Sequence, residues 1–258
     1  MAAPENTFKT RLTGGEGPAL TGFWLSLGSE GAAECLAGAG ADFVVVDGEH
    51  APNDLDLMRR QLMAAELGAA GATPVLARTP VNEAWVIKQL MDAGARTLIV
   101  PMVDTPEQAA AAARAMRFPP EGIRGVAGGT RATGYGRIPD YLTTANEGAC
   151  CIVQIESREA VDNLEAIAAT PGVDGLFIGP NDLAASHGRL GGAESPEMDA
   201  VIQDVIARIG AAGKPACILA FRPETAMKYR DWGARMVVIG SDTSLLTAGA
   251  SALLAHFR

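Results

Sequence analysis

A seven-residue phrase occurs four times along the chain, and its recurrence constrains the fold more than any other feature of the sequence. Each copy starts with glycine, passes through a short turn and ends in a run of apolar residues. Glycine readily adopts the left-handed conformation that closes a helix, and runs of Val, Ile and Leu favour strands. Each copy therefore predicts a helix end followed by a buried strand. The copies are Gly40–Val46, Gly94–Val100, Gly172–Ile178 and Gly233–Ile239.

Four further apolar runs and eight helical segments alternate with the repeated phrase. The additional strands are predicted at Gly22–Leu27, Thr73–Ala77, Ala149–Ile155 and Lys214–Ala220. The helices are predicted at Glu30–Ala37, Asn53–Leu67, Asn82–Ala93, Thr105–Arg117, Arg158–Ala169, Pro196–Ala212, Pro223–Trp232 and Thr243–Phe257. Eight β-α units in 258 residues match a (βα)8 TIM barrel, and no linker divides the chain, so residues 1–258 are expected to form one α/β domain. A doubly wound open sheet also alternates strands and helices and is the alternative.

The overall charge narrows the classes of partner. The net charge is −9, with 30 acidic and 21 basic residues, which argues against nucleic acid and anionic membranes. No apolar run approaches the roughly 20 residues that span a bilayer, and the N-terminal residues lack the apolar core of a secretory signal. The four cysteines lack metal-site spacing and are interpreted as small core residues of a reducing compartment. The sequence thus predicts a cytoplasmic protein that acts on small molecules.

One strand ends in a charged turn that predicts the rim of an active site. The stretch from Phe43 to Asp54, FVVVDGEHAPND, carries Asp47, Glu49 and His50 directly after four apolar residues. Residues that follow the strands of a barrel face a common mouth at its C-terminal end, where catalytic groups gather. His50 is a candidate general base because imidazole titrates near neutral pH. The alternative is an ordinary solvated turn residue.

Two carboxylates follow neighbouring predicted strands and indicate a metal site. Glu156 ends the run CCIVQIE, with Gln154 two residues before it, and Asp182 follows GLFIGPN. Converging carboxylates repel each other unless a cation lies between them. Two protein oxygens with vacant positions for water and substrate suit a hard cation such as Mg²⁺ or Mn²⁺. The alternative is that each carboxylate only caps the helix that follows it.

An arginine and the placement of the lysines bear on the type of chemistry. Arg78 ends the run TPVLAR, and its guanidinium at the mouth would suit a carboxylate or a developing enolate, unless it forms only a surface ion pair. A Schiff-base aldolase needs a lysine near the mouth. None of the four lysines follows a predicted strand, so carbon–carbon chemistry in this chain would require a metal. They are Lys9 in the N-terminal tail, Lys88, Lys214 and Lys228.

The longest connection, residues 118–140, separates the fourth helix from a short helical piece before the fifth strand. It reads FPPEGIRGVAGGTRATGYGRIPD, and its Gly, Arg and Tyr content suggests a functional loop. An ordinary surface excursion between barrel elements is the equal alternative.

Seven segments of this chain resemble one known family. They are DGEHAPND (47–54), the segment from PVLAR to IKQLMDAGA (74–95), LIVPMV (98–103), PPEGIRG (119–125), VQIESREAVDNL (153–164), DGLFIGPNDL (174–183) and VVIGSDTSLL (237–246). They are similar to the metal-dependent class II pyruvate aldolases, which include the 4-hydroxy-2-oxoheptanedioate aldolases and the 2-dehydro-3-deoxy-glucarate and -rhamnonate aldolases. The resemblance extends from about Phe8 to the last helix.

The resemblance implies a metal-bound pyruvate. Glu156 and Asp182 would hold a divalent ion, Mg²⁺, Mn²⁺ or Co²⁺, which pyruvate chelates through its keto and carboxylate oxygens. Gln154 and the backbone around Asn181 and Asp182 would contact the pyruvate. The reaction implied is reversible aldol cleavage of a 4-hydroxy-2-oxo acid to pyruvate, or a close 2-oxo acid, and an aldehyde.

The resemblance also implies a catalytic set and an assembly. Arg78 would stabilise the enolate, His50 would be or assist the base, Asp47 would join them, and Asp92 would raise the basicity of the histidine. Since the barrel places Asp92 at a helix end far from its own mouth, it would have to reach His50 across a subunit interface. The family is oligomeric, typically a hexamer whose final helix is exchanged between subunits.

At two places the sequence departs from the family, and for this reason the resemblance does not identify the aldehyde substrate. The segment GVAGGTRATGYGR (125–137) is rich in glycine, and Asn181 stands where relatives often carry Ala; both would touch the aldehyde side of the pocket. Three other functions remain alternatives: a lyase of the related family that acts on a CoA thioester, a phosphate-binding barrel isomerase, suggested by IGSD after the eighth strand, and a catalytically silent scaffold.

Overall fold

Eight parallel strands form a closed barrel in the computed structural model, which describes residues 2–15 and 17–257. Each strand pairs with the next one along the chain, and β8 pairs with β1. The strands are β1 (Leu20–Leu25), β2 (Phe43–Asp47), β3 (Val75–Arg78), β4 (Thr97–Val100), β5 (Cys150–Ile155), β6 (Val173–Ile178), β7 (Ala216–Leu219) and β8 (Met236–Ser241). The predicted (βα)8 barrel is confirmed, and the closure of β8 onto β1 excludes the open sheet.

The helices surround the barrel. They are α1 (Thr7–Thr13), α2 (Glu30–Ala37), α3 (Leu55–Gly68), α4 (Ala84–Asp92), α5 (Pro106–Ala115), α6 (Tyr141–Gly148), α7 (Arg158–Asp162), α8 (Leu164–Ala168), α9 (Pro180–Ser186), α10 (Pro196–Ala211), α11 (Pro223–Asp231) and α12 (Asp242–Ala255). The single helix predicted at Arg158–Ala169 is wrong, because it divides at Asn163. The side-chain amide of Asn163 donates to the carbonyl of Asp104 at 2.8 Å. None of the described helices has the length and hydropathy needed to cross a membrane.

The glycine of each repeated phrase has a positive φ, as the sequence predicted. The angles are +86° at Gly40, +109° at Gly94, +86° at Gly172 and +110° at Gly233. Only glycine adopts these angles without strain, so each helix can turn sharply into the next strand. All four turns join a helix to a strand, and they therefore lie at the N-terminal end of the barrel, opposite the mouth.

The N-terminal segment is a helix and not the tail that the sequence predicted. Helix α1 buries Phe8 and Leu12 in the hydrophobic core inside the barrel, and the ring of Phe8 packs edge-on against Phe43 with centroids 5.5 Å apart. The amide of Asn6 donates to Thr97 Oγ1 at 2.9 Å and anchors the start of the helix. Helix α1 therefore plugs the end of the barrel that lies away from the mouth.

Three of the four cysteines are core residues, as expected. Cys150 and Cys217 lie inside the barrel, and Cys151 lies between strands and helices. Burial raises the pKa of the Cys151 thiol to about 12. Cys35 departs from the prediction, because it lies on the outer face of α2 and is exposed.

The long connection 118–140 lies at the N-terminal end of the barrel. Arg131 donates from Nη1 to the carbonyl of Ala93 at 2.8 Å and pairs with Glu66 at the end of α3. The expectation that this segment touches the aldehyde side of the pocket is therefore wrong within one chain. The reason is topological: residues 118–140 join a helix to a strand, and such connections lie opposite the mouth.

Candidate active site

A cavity of about 370 Å³ opens at the C-terminal mouth of the barrel. Seven of the eight strand ends contribute to its wall. The lining residues are Trp24, Ser26, Asp47, His50, Arg78, Gln154, Glu156, Gly179, Pro180, Asn181, Asp182, Leu219, Phe221, Ser241 and Thr243. Every residue predicted for the site lies in this wall except Asp92. The barrel topology thus gathers side chains that are more than 100 residues apart in sequence.

Arg78 is fixed at the mouth by a two-pronged bond to Asp47. Its Nε and Nη2 donate to Asp47 Oδ1 and Oδ2 at 2.8 and 2.7 Å, and both residues are buried. The guanidinium carbon lies 4.6 Å from the centre of the Trp24 ring. A guanidinium held on two sides in this way keeps one orientation, so its remaining N–H groups are directed in advance.

Asp47 also shapes the turn that follows β2. Its Oδ1 accepts the backbone N–H of Glu49 at 3.0 Å and that of His50 at 3.4 Å. With Arg78 on both oxygens as well, this carboxylate accepts four hydrogen bonds from the protein. Its geometry is that of a group that positions Arg78 and the turn.

Glu49 belongs to the site although the sequence assigned it no role. Its Oε2 lies 2.8 Å from Arg78 Nη1, an ion pair whose angles do not make a hydrogen bond, so this oxygen is buried without a hydrogen-bond partner. Burial raises the pKa of Glu49, helped by nearby Asp47 and Asp182 and opposed by Arg78 and His50. The sequence feature that could have identified Glu49 as a site residue is its position two residues after the end of a buried strand.

His50 lies at the rim and not in the depth of the cavity. Its side chain is 66% exposed, and Nε2 lies 3.9 Å from Glu49 Oε2. This exposure leaves the imidazole free to meet a substrate.

Glu156 is buried and held on both oxygens. The backbone N–H of Met102 donates to Oε1 at 2.7 Å, and Gln154 Nε2 donates to Oε2 at 2.5 Å. A Cβ added to Gly179 would lie 2.5 Å from Oε2, so only glycine leaves room for the carboxylate. Burial raises the pKa of Glu156, the Met102 N–H opposes this, and the charges of Glu49 and Asp182 raise it further.

Asp182 and Asn181 lie in the first turn of α9, on the open side of the cavity. Both residues are exposed. The first N–H groups of a helix have no acceptor within the helix and carry a partial positive charge, which suits a carboxylate ligand. Asp182 raises the pKa of both Glu49 and Glu156, and Asp182 and Glu156 line the same cavity.

The donor chemistry of this face fits a divalent cation bound by two carboxylates. The charges of Glu156 and Asp182 at one cavity wall repel each other unless a positive charge lies between them, and hard cations prefer oxygen ligands. The Oε1 of Gln154 is buried and lacks a hydrogen-bond partner, which leaves an acceptor for a ligand or a water. In the described part of the chain, no group of three or more His, Cys, Asp or Glu side chains is arranged to hold a metal. Water and substrate would have to complete the coordination.

The structure does not bring Asp92 to the mouth of its own barrel. It lies at the end of α4, at the opposite end of the barrel, and Arg124 Nη2 donates to its Oδ1 at 2.6 Å. Arg124 is buried, and its guanidinium carbon lies 4.4 Å from the ring centre of Phe118.

Comparison with known proteins finds similar sequences and a similar structure over almost the whole chain. The model of the HpcH/HpaI aldolase/citrate lyase family matches residues 20–248. The chain is 47% identical to a hydroxypyruvate/pyruvate aldolase of Roseovarius nubinhibens, over 100% of this chain and 99% of that protein. It is 48% identical to a 4-hydroxy-2-oxovalerate aldolase of Rhodococcus jostii, over 100% of this chain and 98% of that protein. The crystal structure of a HpcH/HpaI aldolase/citrate lyase family protein from Burkholderia cenocepacia has a TM-score of 0.94 at 44% identity, covering 98% of this chain and 99% of that one.

Proposed function

Because the chain belongs to the HpcH/HpaI aldolase/citrate lyase family, we propose that it is a divalent-metal-dependent aldolase. It cleaves a 4-hydroxy-2-oxo acid to pyruvate, or a close 2-oxo acid, and an aldehyde. The observation that carries the proposal is that two carboxylates, Glu156 and Asp182, line the same cavity as one fixed arginine, Arg78. The relatives from Roseovarius and Rhodococcus are named for this class of reaction.

Glu156 and Asp182 are the proposed metal ligands. A divalent cation at this place would supply Lewis-acid polarisation of the keto group of pyruvate. Gln154 and the Met102 N–H hold the carboxylate of Glu156 in one orientation. The first-turn N–H groups around Asn181 and Asp182 are suited to the carboxylate of pyruvate. The choice among Mg²⁺, Mn²⁺ and Co²⁺ stays open.

Arg78 and His50 are the proposed catalytic residues. When a C3 proton leaves pyruvate, the electron pair moves toward the keto oxygen, and a fixed guanidinium beside that oxygen stabilises the charge. His50 accepts the proton, and Glu49 at 3.9 Å stabilises the imidazolium that results. Asp47 acts through Arg78, whose direction it sets. The four carboxylates at the mouth, Asp47, Glu49, Glu156 and Asp182, would repel a phosphate group, which disfavours the barrel isomerase.

Helix α12 supports the proposal that the chain forms a homo-oligomer. Of its 14 residues only Asp242 is buried, and large apolar side chains cover its outer surface. Leu246 is 61% exposed and Leu253 is 63% exposed. Exposed leucine side chains along one helix favour burial against another surface, and a second copy of this chain is the proposed cover. A hexamer with α12 exchanged, in which Asp92 reaches His50 of a neighbouring subunit, follows from the family resemblance. A cytoplasmic location is proposed because the free cysteines suit a reducing compartment.

Proton exchange at the methyl group of pyruvate tests the proposed reaction. Solutions in D₂O are followed by NMR with Mg²⁺ or Mn²⁺, with EDTA, and with Arg78→Ala. The expected result is exchange that depends on metal and is lost on chelation and in the variant. Absence of exchange with folded, metal-loaded protein would overturn the aldolase proposal.

A further inference from the structure

Met102 has a backbone conformation that its residue type disfavours. Its φ is +53°, in the left-handed region that non-glycine residues rarely occupy. Its side chain is 54% exposed, so tight packing of the side chain does not impose this angle. Strained residues of this kind concentrate at functional sites, where the surrounding structure holds them in place.

The strained turn is tied to the end of β5 by several hydrogen bonds. The N–H of Met102 donates to Glu156 Oε1 at 2.7 Å, and the N–H of Val103 donates to the carbonyl of Gln154 at 3.4 Å. One residue further on, the side chain of Asp104 accepts from the hydroxyl of Ser157. The segment 102–104 thus runs alongside residues 154–157, and its first N–H is directed at the carboxylate of Glu156.

We infer that Met102 is a positioning residue for the metal site, acting through its backbone N–H on Glu156. This inference rests on the proposed function, in which Glu156 is a metal ligand. The left-handed conformation directs the N–H at Oε1, while Gln154 holds Oε2, so the carboxylate keeps a single orientation toward the cavity. Partners that orient a ligand in this way commonly matter for metal affinity.

The backbone preference of residue 102, and not the size or polarity of its side chain, should decide how well the site binds metal. Glycine and asparagine tolerate positive φ, whereas a β-branched residue strongly disfavours it. Met102→Gly and Met102→Asn should therefore keep the N–H on Glu156 although they remove the apolar side chain. Met102→Val keeps an apolar side chain but drives the turn out of the left-handed region. Met102→Leu is the matched control for size and apolarity.

Binding of Mn²⁺ to the full-length protein, followed by the EPR signal of the free ion, tests this ranking. Met102→Val is expected to weaken Mn²⁺ binding by about 10- to 100-fold. The glycine, asparagine and leucine variants are expected to bind as the wild type does. Melting temperature in EDTA is measured for each variant, and pyruvate methyl exchange at saturating Mn²⁺ separates weaker metal binding from a damaged site. Recovery of the exchange rate by Met102→Val at saturating Mn²⁺ is expected.

Three results would overturn the inference, and they separate it from the proposed function. If folded Met102→Val binds Mn²⁺ as the wild type does, the role of Met102 is wrong and the metal site stands. If the glycine and asparagine variants lose binding while leucine keeps it, the side chain matters and the backbone role is wrong; this holds even if the valine variant does not fold. If the wild type binds no Mn²⁺, or binds it as tightly as Glu156→Gln does, the metal site at Glu156 is wrong and the role of Met102 falls with it.

Discussion

At the scale of single residues, the site keeps carboxylates where their charged form is unfavourable. Burial raises the pKa of Glu156 and of Glu49, and each is raised further by neighbouring carboxylates. Between the ordinary and the raised pKa, the folded protein binds more protons than the unfolded chain. The free energy of unfolding of the metal-free protein therefore falls as pH rises through that range. A cation at the mouth would offset this penalty.

Replacing Glu156 by glutamine should separate stability from metal binding. Glutamine still accepts the Met102 N–H but carries no charge, so Glu156→Gln in EDTA should melt above the wild type at pH 8. A gain of about 2–4 °C corresponds to roughly 1 kcal/mol for a chain of this size. The difference should shrink toward pH 4.5, and Mn²⁺ should no longer raise the melting temperature, as measured by calorimetry.

Glu165→Gln is the matched control for that measurement. Arg208 lowers the pKa of Glu165 to about 2, so its charged form is favourable in the folded protein. The same chemical change there should give no gain in melting temperature at pH 8. A Glu156→Gln variant that melts below the wild type in EDTA would contradict the electrostatic argument.

The orientation of Arg78 should matter more than its charge. Arg78→Lys keeps a positive charge but loses the two-pronged bond to Asp47 and the contact with Glu49, so the rate of pyruvate methyl exchange should fall by roughly 10²- to 10³-fold. Arg60→Lys is the control, because Arg60 is an exposed arginine paired with Glu30 and Asp56. A lysine variant that exchanges at the wild-type rate would mean that a point charge is enough.

At the scale of elements, the glycine turns and the strand ends could be predicted from the sequence. Contacts between residues that are distant in sequence could not. The positive φ of the four glycines follows from their residue type. The placement of His50, Arg78 and Glu156 at one mouth follows from their positions at or just after the ends of predicted strands. Helix α1 was missed because its stability comes from Phe8 inside the barrel, a contact between residues distant in sequence. The role of Glu49 was missed for the same reason: its burial depends on residues from other strands.

Gly179, directly after β6, lies so close to Glu156 that only glycine should be tolerated at this position. In Gly179→Ala the added Cβ would lie 2.5 Å from Glu156 Oε2 and must displace the carboxylate. Mn²⁺ affinity and methyl exchange should both fall by at least about 10-fold, the usual scale for disturbing the support of a metal ligand. Binding is measured by the EPR signal of free Mn²⁺.

Gly210→Ala is the control for this change. Gly210 lies within α10, and an added Cβ there would meet nothing within 4 Å. It should leave Mn²⁺ binding unchanged and should raise stability, since alanine favours a helix over glycine by about 1 kcal/mol. Equal Mn²⁺ affinity of Gly179→Ala and wild type would show that Glu156 can move without consequence.

At the scale of the whole molecule, closure of the barrel brings the strand ends together at one mouth but leaves most of helix α12 exposed. Its last strand, β8, runs into α12, whose apolar surface contacts little of the described chain. The sequence predicted this helix but could not say what buries it, because its apolar residues are spread around the helix and form no single face.

A charge on α12 should therefore change the state of assembly. Leu246→Glu places a carboxylate on a side chain that is 61% exposed in the single chain, so it should dissociate the oligomer without unfolding the barrel. Light scattering after size-exclusion chromatography gives the mass, and circular dichroism checks the fold. Leu190→Glu, the same change at a site that is 89% exposed, should leave the mass unchanged. A Leu246→Glu variant with wild-type mass would contradict the proposed cover of α12.

Seven separate strand ends supply the cavity wall, and they do not all carry charged groups. The end of β7 contributes only Leu219 and Phe221, two apolar side chains, while the charged groups come from β2, β3, β5 and the start of α9. A few codons can thus remodel the shape of the pocket without touching the groups that carry charge. An enzyme built in this way can acquire a new pocket shape while its charged groups are inherited unchanged.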